Sequence, residues 1–161
     1  MFEQKILVIG LGNLLASDEG VGVHAVRRLQ KVYATPENVE LVDGGTLGFE
    51  LLERIENCDA LILIDAVNAG KVPGTIVILQ DNEIPAYFEM KVSPHQQSFQ
   101  EILAYGRARS TAPPVTLLGI QPESTGTGIE LSDLLHSRLP ALITEFQTLI
   151  RSFTASGGSI A

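Results

Sequence analysis

The sequence predicts an α/β fold: a three-layer α/β/α sandwich around a mostly parallel, mixed five-stranded sheet with one antiparallel edge strand. Three observations carry this. Short runs such as Lys5–Gly10, Val39–Val42, Ala60–Ile64 and Val115–Ile120 are apolar nearly throughout, as strands buried on both faces must be. The gaps between the first three of these runs hold apolar residues at helical spacing, the pattern of parallel strands joined by right-handed crossovers. The stretch Val67–Gly74, with two glycines and a proline, is too short for a crossover helix, so the strand after it should turn back at an edge.

In chain order, Lys5–Gly10 forms the first strand, and Gly20–Lys31 places Val21, Ala25, Val26 and Leu29 on one helical face. Val39–Val42 is the second strand, ending at Asp43-Gly44-Gly45-Thr46. Leu47, Leu51, Leu52 and Ile55 then mark a helix that stops near Asn57. Ala60–Ile64 is the most apolar strand, and Thr75–Leu79 is the antiparallel edge strand. Phe99–Tyr105 reads as a short helix, Val115–Ile120 as a buried strand, and Leu131–Phe153 as a long C-terminal helix with Ser132 as N-cap. Pro140 is expected to kink that helix or mark a restart. Residues 1–153 are therefore one domain, and 154–161, rich in Ser and Gly, are read as a flexible tail.

A chain of 161 residues is long enough to bury roughly two-thirds of the surface it exposes when unfolded. No apolar run approaches the length needed to cross a bilayer, so membrane insertion is not expected. The N-terminus lacks the basic start, apolar stretch and cleavage site of a signal peptide, and a cytoplasmic location is the expectation. Cys58 is the single cysteine, which excludes an intrachain disulfide or a cysteine zinc cage and leaves packing as its role. The formal charge of −8, with no cluster of Lys and Arg, excludes a nucleic acid as partner. A monomer is the default, since no long apolar helix face is left over.

Ligands of such sheets bind beyond the carboxyl ends of the strands. The loops there contain Asn13, Asp18 and Glu19, then Asp43, then Asp65 and Asn68, an acidic set that a cation would relieve. Dinucleotide binding fits poorly: Gly10-Leu11-Gly12 and Asp43 match, but Leu15 stands at the third glycine position, and Asp18 and Glu19 would oppose a pyrophosphate. No cofactor of that kind is expected. There is no Gly-x-Ser-x-Gly elbow, and Ser93 is too near His95 for a standard triad. Cys58 has no evident activating base.

A metal site remains. Glu19, Asp65 and His95 lie on three separate loops or strand ends, and two carboxylates with one imidazole suit a borderline divalent ion such as Ni²⁺ or Zn²⁺. Asp65 ends an apolar strand, where an acid is costly unless it serves a site. His95 sits in Ser93-Pro94-His95-Gln96, a loop without apolar periodicity, whereas His24 and His136 fall inside helices and read as surface residues. Asp18 is read as a helix cap; Glu19 either shares that role or serves separately. Asp43 either caps its loop through its own backbone contacts or faces the site, and Gly44-Gly45 implies close chain approach.

Gly10-Leu11-Gly12-Asn13 through Asp18-Glu19-Gly20-Val21-Gly22, followed by Asp43-Gly44-Gly45-Thr46, resembles the opening of the hydrogenase maturation endopeptidases. The likeness continues at Leu61–Ala66, Pro73-Gly74-Thr75, Ser93-Pro94-His95-Gln96 and Gly119-Ile120-Gln121-Pro122-Glu123, spanning Ile6 to about Leu149. It departs at Gln96-Gln97-Ser98-Phe99, where the family is expected to have an aliphatic pattern.

The resemblance implies an endopeptidase, often classed as aspartic-type, that removes the C-terminal extension of the [NiFe] hydrogenase large-subunit precursor after nickel insertion. Glu19, Asp65 and His95 would be its metal ligands, with Ni²⁺ supplied by the precursor. Asn13, Asp43, Gly44, Gly45 and Asn68 are the candidates for substrate contact. The alternative is a non-catalytic nickel-binding or chaperone protein in hydrogenase assembly.

Overall fold

The computed structural model describes residues 3–45, 49–84, 104, 108 and 112–155. Strand β1 (Ile6–Leu11) leads through a 3-10 turn (Ser17–Gly20) into helix α1 (Val21–Val32). Strand β2 (Val39–Gly45) leads through a second 3-10 turn (Phe49–Leu51) into helix α2 (Leu52–Glu56). Strands β3 (Ala60–Ala66), β4 (Ile76–Gln80) and β5 (Val115–Ile120) and helix α3 (Asp133–Ala155) follow.

The strand order is β2-β1-β3-β5-β4. Neighbours run parallel except β4, which pairs antiparallel with β5 at the edge, as the short connection after β3 requires. Alternate residues of each strand feed two cores. Ile6, Val8, Ile62 and Ile64 pack with Val26 and Leu29 of α1 and Leu142 and Phe146 of α3. Leu7, Ile9, Leu61 and Leu63 pack on the opposite face with Leu51 and Ile55. Helices cover both faces, which is the predicted three-layer arrangement.

Several boundaries differ from the sequence expectation. β2 runs on to Gly45 because Gly44 lets the backbone pass Ile9: a methyl group there would lie 2.3 Å from Ile9 Cγ2. The helix expected over Leu47–Asn57 is α for only five residues, preceded by the 3-10 turn, and ends at Asn57, whose Nδ2 donates to the Glu53 carbonyl. Helix α3 neither stops nor restarts at Pro140. Pro140 is exposed, so water can serve the carbonyl its missing N–H leaves open, while buried Leu139, Leu142 and Phe146 hold both flanks on the core. The same helix takes in Thr154 and Ala155 from the predicted tail. The predicted helix Phe99–Tyr105 lies outside the described residues apart from Ala104, which is helical.

The contact that sets the layer spacing is glycine on backbone. A methyl on Gly22 would sit 2.0 Å from the Ile64 carbonyl oxygen and 2.3 Å from that of Leu11, and one on Gly10 would sit 2.3 Å from the Gly22 carbonyl oxygen. The first turn of α1 thus rests directly on β1 and β3, with no side chain between. Backbone atoms held in a sheet cannot move aside. Gly22→Ala is therefore expected to cost about 3 kcal/mol, the upper end for overpacking, read as a lowered urea midpoint.

His136 is exposed, as expected, but His24 is not a surface residue: it is half-buried, and its Nε2 is enclosed with no hydrogen-bond partner. Burial, then the charges of Arg27 and His136, hold its pKa below 6.5. The unfolded chain therefore protonates His24 before the folded chain does. Its contribution to stability is complete above pH 6.5 and is lost as pH falls through the lower folded value. Between about pH 7 and pH 5 the melting temperature of wild type should drop further than that of His24→Gln, measured by circular dichroism.

Candidate metal-binding crevice and its relatives

After β1 the chain crosses to one side to form β2, then returns past β1 to form β3. In open α/β sheets the loops beyond two such strands diverge at this reversal, and the crevice between them is where ligands bind. Glu19 comes from the turn before α1 and Asp65 from the end of β3, and that turn packs against β3. Glycine makes the approach close. Gly12 has φ +133°, and a methyl there would lie 1.9 Å from the Glu19 carbonyl oxygen. The same carbonyl accepts the Asn13 N–H at 3.2 Å, folding the loop back over itself.

Asp65 is fully buried beside Gly119 in the β3–β5 register, and its Oδ1 accepts the Ala66 N–H at 2.8 Å. Gly119 has no room for a side chain, since a methyl would meet Val67 Cγ2 at 2.0 Å. Glu19 is half-buried. The turn that carries Glu19 therefore packs against the strand that carries Asp65. His95 lies outside the described residues, and among those residues no three His, Cys, Asp or Glu side chains gather around a metal position.

The other candidates have structural partners. Asn13 Oδ1 accepts the Leu15 N–H at 2.9 Å, an Asx turn that shapes the loop below Glu19. Asp43 lies within β2, aligned with Gly10, and its Oδ2 accepts from Arg27 Nε at 2.8 Å. Gly44 is buried, and Gly45 ends the strand opposite Leu11. Asn68 Oδ1 accepts from Gln121 Nε2 at 3.2 Å. Cys58 donates to the Ile55 carbonyl, and burial, with Asp59 beside it, pushes its thiol up to about 11, so it stays protonated at neutral pH and packs as expected.

Two residues carry more than the sequence suggested. Asp18 is wholly buried and caps neither its 3-10 turn nor α1. Its carboxylate instead accepts four hydrogen bonds from the far end of the chain: the N–H groups of Glu123 (3.0 Å), Ser124 (2.9 Å) and Ser132 (2.7 Å), and the Ser132 hydroxyl (2.9 Å). Ser132 in turn accepts the Leu135 N–H, the N-cap bond expected of it. Gln121 does similar work after β5. Its Oε1 accepts the Ala69 and Lys71 N–H groups, which ties the β3–β4 loop to the crevice floor. Nothing in local sequence pattern marks bonds that join residues more than 100 positions apart; the acid next to Glu19 and the Gln in Gly119–Glu123 were visible, but their partners were not.

A model of the hydrogenase maturation protease family matches residues 23–148. The chain belongs to that family. It is 43% identical over 141 residues to the hydrogenase 2 maturation protease of Escherichia coli K12, covering 86% of each chain. It is 42% identical over 141 residues to the hydrogenase expression/formation protein HupD of Rhodobacter capsulatus, covering 86% of this chain but only 64% of that one, less than two-thirds of the relative's length. The solved structure of the hydrogenase maturating endopeptidase HybD from E. coli superposes with a TM-score of 0.86 at 39% identity, over 92% of this chain and 93% of that one. The expected family and fold both hold for this family member.

The Asp18 bonds make a stability test. Asp18→Ala strands three backbone N–H groups around a buried void, and a loss of about 3 kcal/mol or more is expected in urea unfolding. Asp18→Asn keeps one acceptor oxygen and should fall between the two.

Proposed function

We propose that this chain is an endopeptidase that removes the C-terminal extension of the [NiFe] hydrogenase large-subunit precursor, using Glu19, Asp65 and His95 to grip the nickel already inserted in that substrate. The observation that carries the reading is the convergence of the Glu19 turn on the end of β3 at the reversal of strand order, in a member of the hydrogenase maturation protease family. Two carboxylates and a neutral imidazole balance a divalent ion and leave positions for the substrate's own ligands. The metal belongs to the substrate, so coordination serves to dock the precursor with its scissile peptide beside the crevice.

Two routes to cleavage fit these residues. Nickel acts as a Lewis acid on the carbonyl or on water, or a carboxylate acts as general base. An acid engaged with a metal is a weak free base, so an aspartic-type classification would describe ligands rather than a catalytic dyad. The acting protein is taken to be a cytoplasmic monomer; no helix among the described residues is long and apolar enough to cross a membrane.

The test is incubation with nickel-loaded precursor and measurement of product mass. A protease shortens the precursor, whereas a nickel-binding or chaperone protein leaves its length unchanged. Alanine at Glu19, Asp65 or His95 should lower the processing rate roughly 100-fold or more, since changing even the outer partners of metal ligands costs up to that much. Wild-type rates in all three folded variants, or efficient cutting of nickel-free precursor, would end the proposal.

A further inference from the structure

Two linked amides beyond the sheet have their direction of hydrogen bonding fixed. Gln121 follows β5 and is 7% exposed. Its backbone N–H donates to the Thr75 carbonyl and its own carbonyl accepts the Gly74 N–H, both at 2.8 Å, so the residue is pinned on both sides. Its side-chain Oε1 accepts the N–H groups of Ala69 at 2.8 Å and Lys71 at 3.2 Å. A backbone N–H can only donate, so these two bonds settle which end of the Gln121 amide is oxygen. Its Nε2 is left for Asn68, and donates to Asn68 Oδ1 at 3.2 Å.

The first amide orients the second. Turning the Asn68 amide by half a rotation would set one NH2 group against another, so Oδ1 stays with Gln121 and Nδ2 stays free of it. Asn68 is exposed, and among the described residues nothing accepts from its Nδ2. An exposed asparagine ordinarily turns either face to water. Here a buried glutamine, itself held by two backbone donors, leaves only donors available.

The position of Asn68 gives those donors a use. It lies two residues beyond the end of β3 and three beyond Asp65, so its Cα is no more than about 11 Å from that of Asp65. The Val67 N–H donates to the Ile120 carbonyl at 2.9 Å and the Ala69 N–H to the Val67 carbonyl at 3.1 Å, which holds the backbone on either side. A substrate peptide brought to Asp65 loses water from its main-chain carbonyls, and each then needs a donor. Beside Glu19 and Asp65 an anionic acceptor is repelled, whereas a neutral peptide carbonyl is not.

We propose that Asn68 Nδ2 donates a hydrogen bond to a main-chain carbonyl of the substrate next to the scissile peptide, and that Gln121 is the positioning residue that keeps this donor available. The proposal rests on the reading of the chain as a precursor-processing protease. The bond forms on docking and is the same before and during cleavage, so it lowers KM and leaves kcat alone.

The test is binding of nickel-loaded precursor by calorimetry, alongside processing kinetics. Asn68→Asp keeps the oxygen that accepts from Gln121 but replaces the donor by an acceptor. Its Kd and KM should rise about tenfold, with kcat within about twofold of wild type. Gln121→Glu still accepts from Ala69 and Lys71, but an ionised carboxylate has nothing to donate, so Asn68 turns its NH2 towards it and presents Oδ1 instead. The Kd should again rise about tenfold, and in an Asn68→Ala background the same change should move it by less than about twofold. An unchanged Kd in Asn68→Asp, an undiminished Gln121→Glu effect in the Asn68→Ala background, or a loss confined to kcat would each overturn the proposal. Binding without cleavage by wild type would sink the protease reading while the Kd comparison still decides the Asn68 contact. Absence of binding by wild type would sink both.

Discussion

Everything at the crevice depends on the distance between the first turn of α1 and the two strands beneath it. Helices on a sheet are usually held off by side chains. Here Gly10, Gly12 and Gly22 remove those side chains where β1 turns into α1, and carbonyl oxygens of Leu11, Glu19 and Ile64 occupy the space a methyl would need. The Glu19 turn therefore lies against β3, the strand that carries Asp65. A larger residue at Gly22 would push the turn outward and part the two acids before it disturbed either one directly. The glycines are in this sense part of the site, though they contribute no functional atom.

A turn held so close to the sheet still has to be fixed sideways, and Asp18 does that. Its four hydrogen bonds reach the segment between β5 and α3, so the loop after the first strand and the start of the last helix form one rigid unit. Bonds to a buried carboxylate are stronger than those between neutral groups, and several N–H donors offset the cost of enclosing its charge. Gln121 extends the same unit to the β3–β4 loop through the Ala69 and Lys71 amides. The crevice is thereby walled by segments from the beginning, middle and end of the chain, each tied to another by a polar side chain that is itself buried.

This arrangement explains which parts of the molecule were legible in the sequence. The mostly parallel strands, the antiparallel β4 and the helical faces follow from local periodicity and connection length, so they could be read directly. Asp65 stood out because an acid after five apolar strand residues is anomalous. The acids nearby were harder to sort. Asp18, Glu19 and Asp43 are all acids set close to glycines, and pattern alone gives them similar standing. Only three-dimensional partners separate them: Asp18 is consumed by backbone donors, and Asp43 by Arg27. The helix cap assigned to Asp18 was the local explanation of a residue whose partners are remote. Of the kink or restart expected at Pro140, the restart does not occur, since the local cost of proline is outweighed by core contacts on both sides.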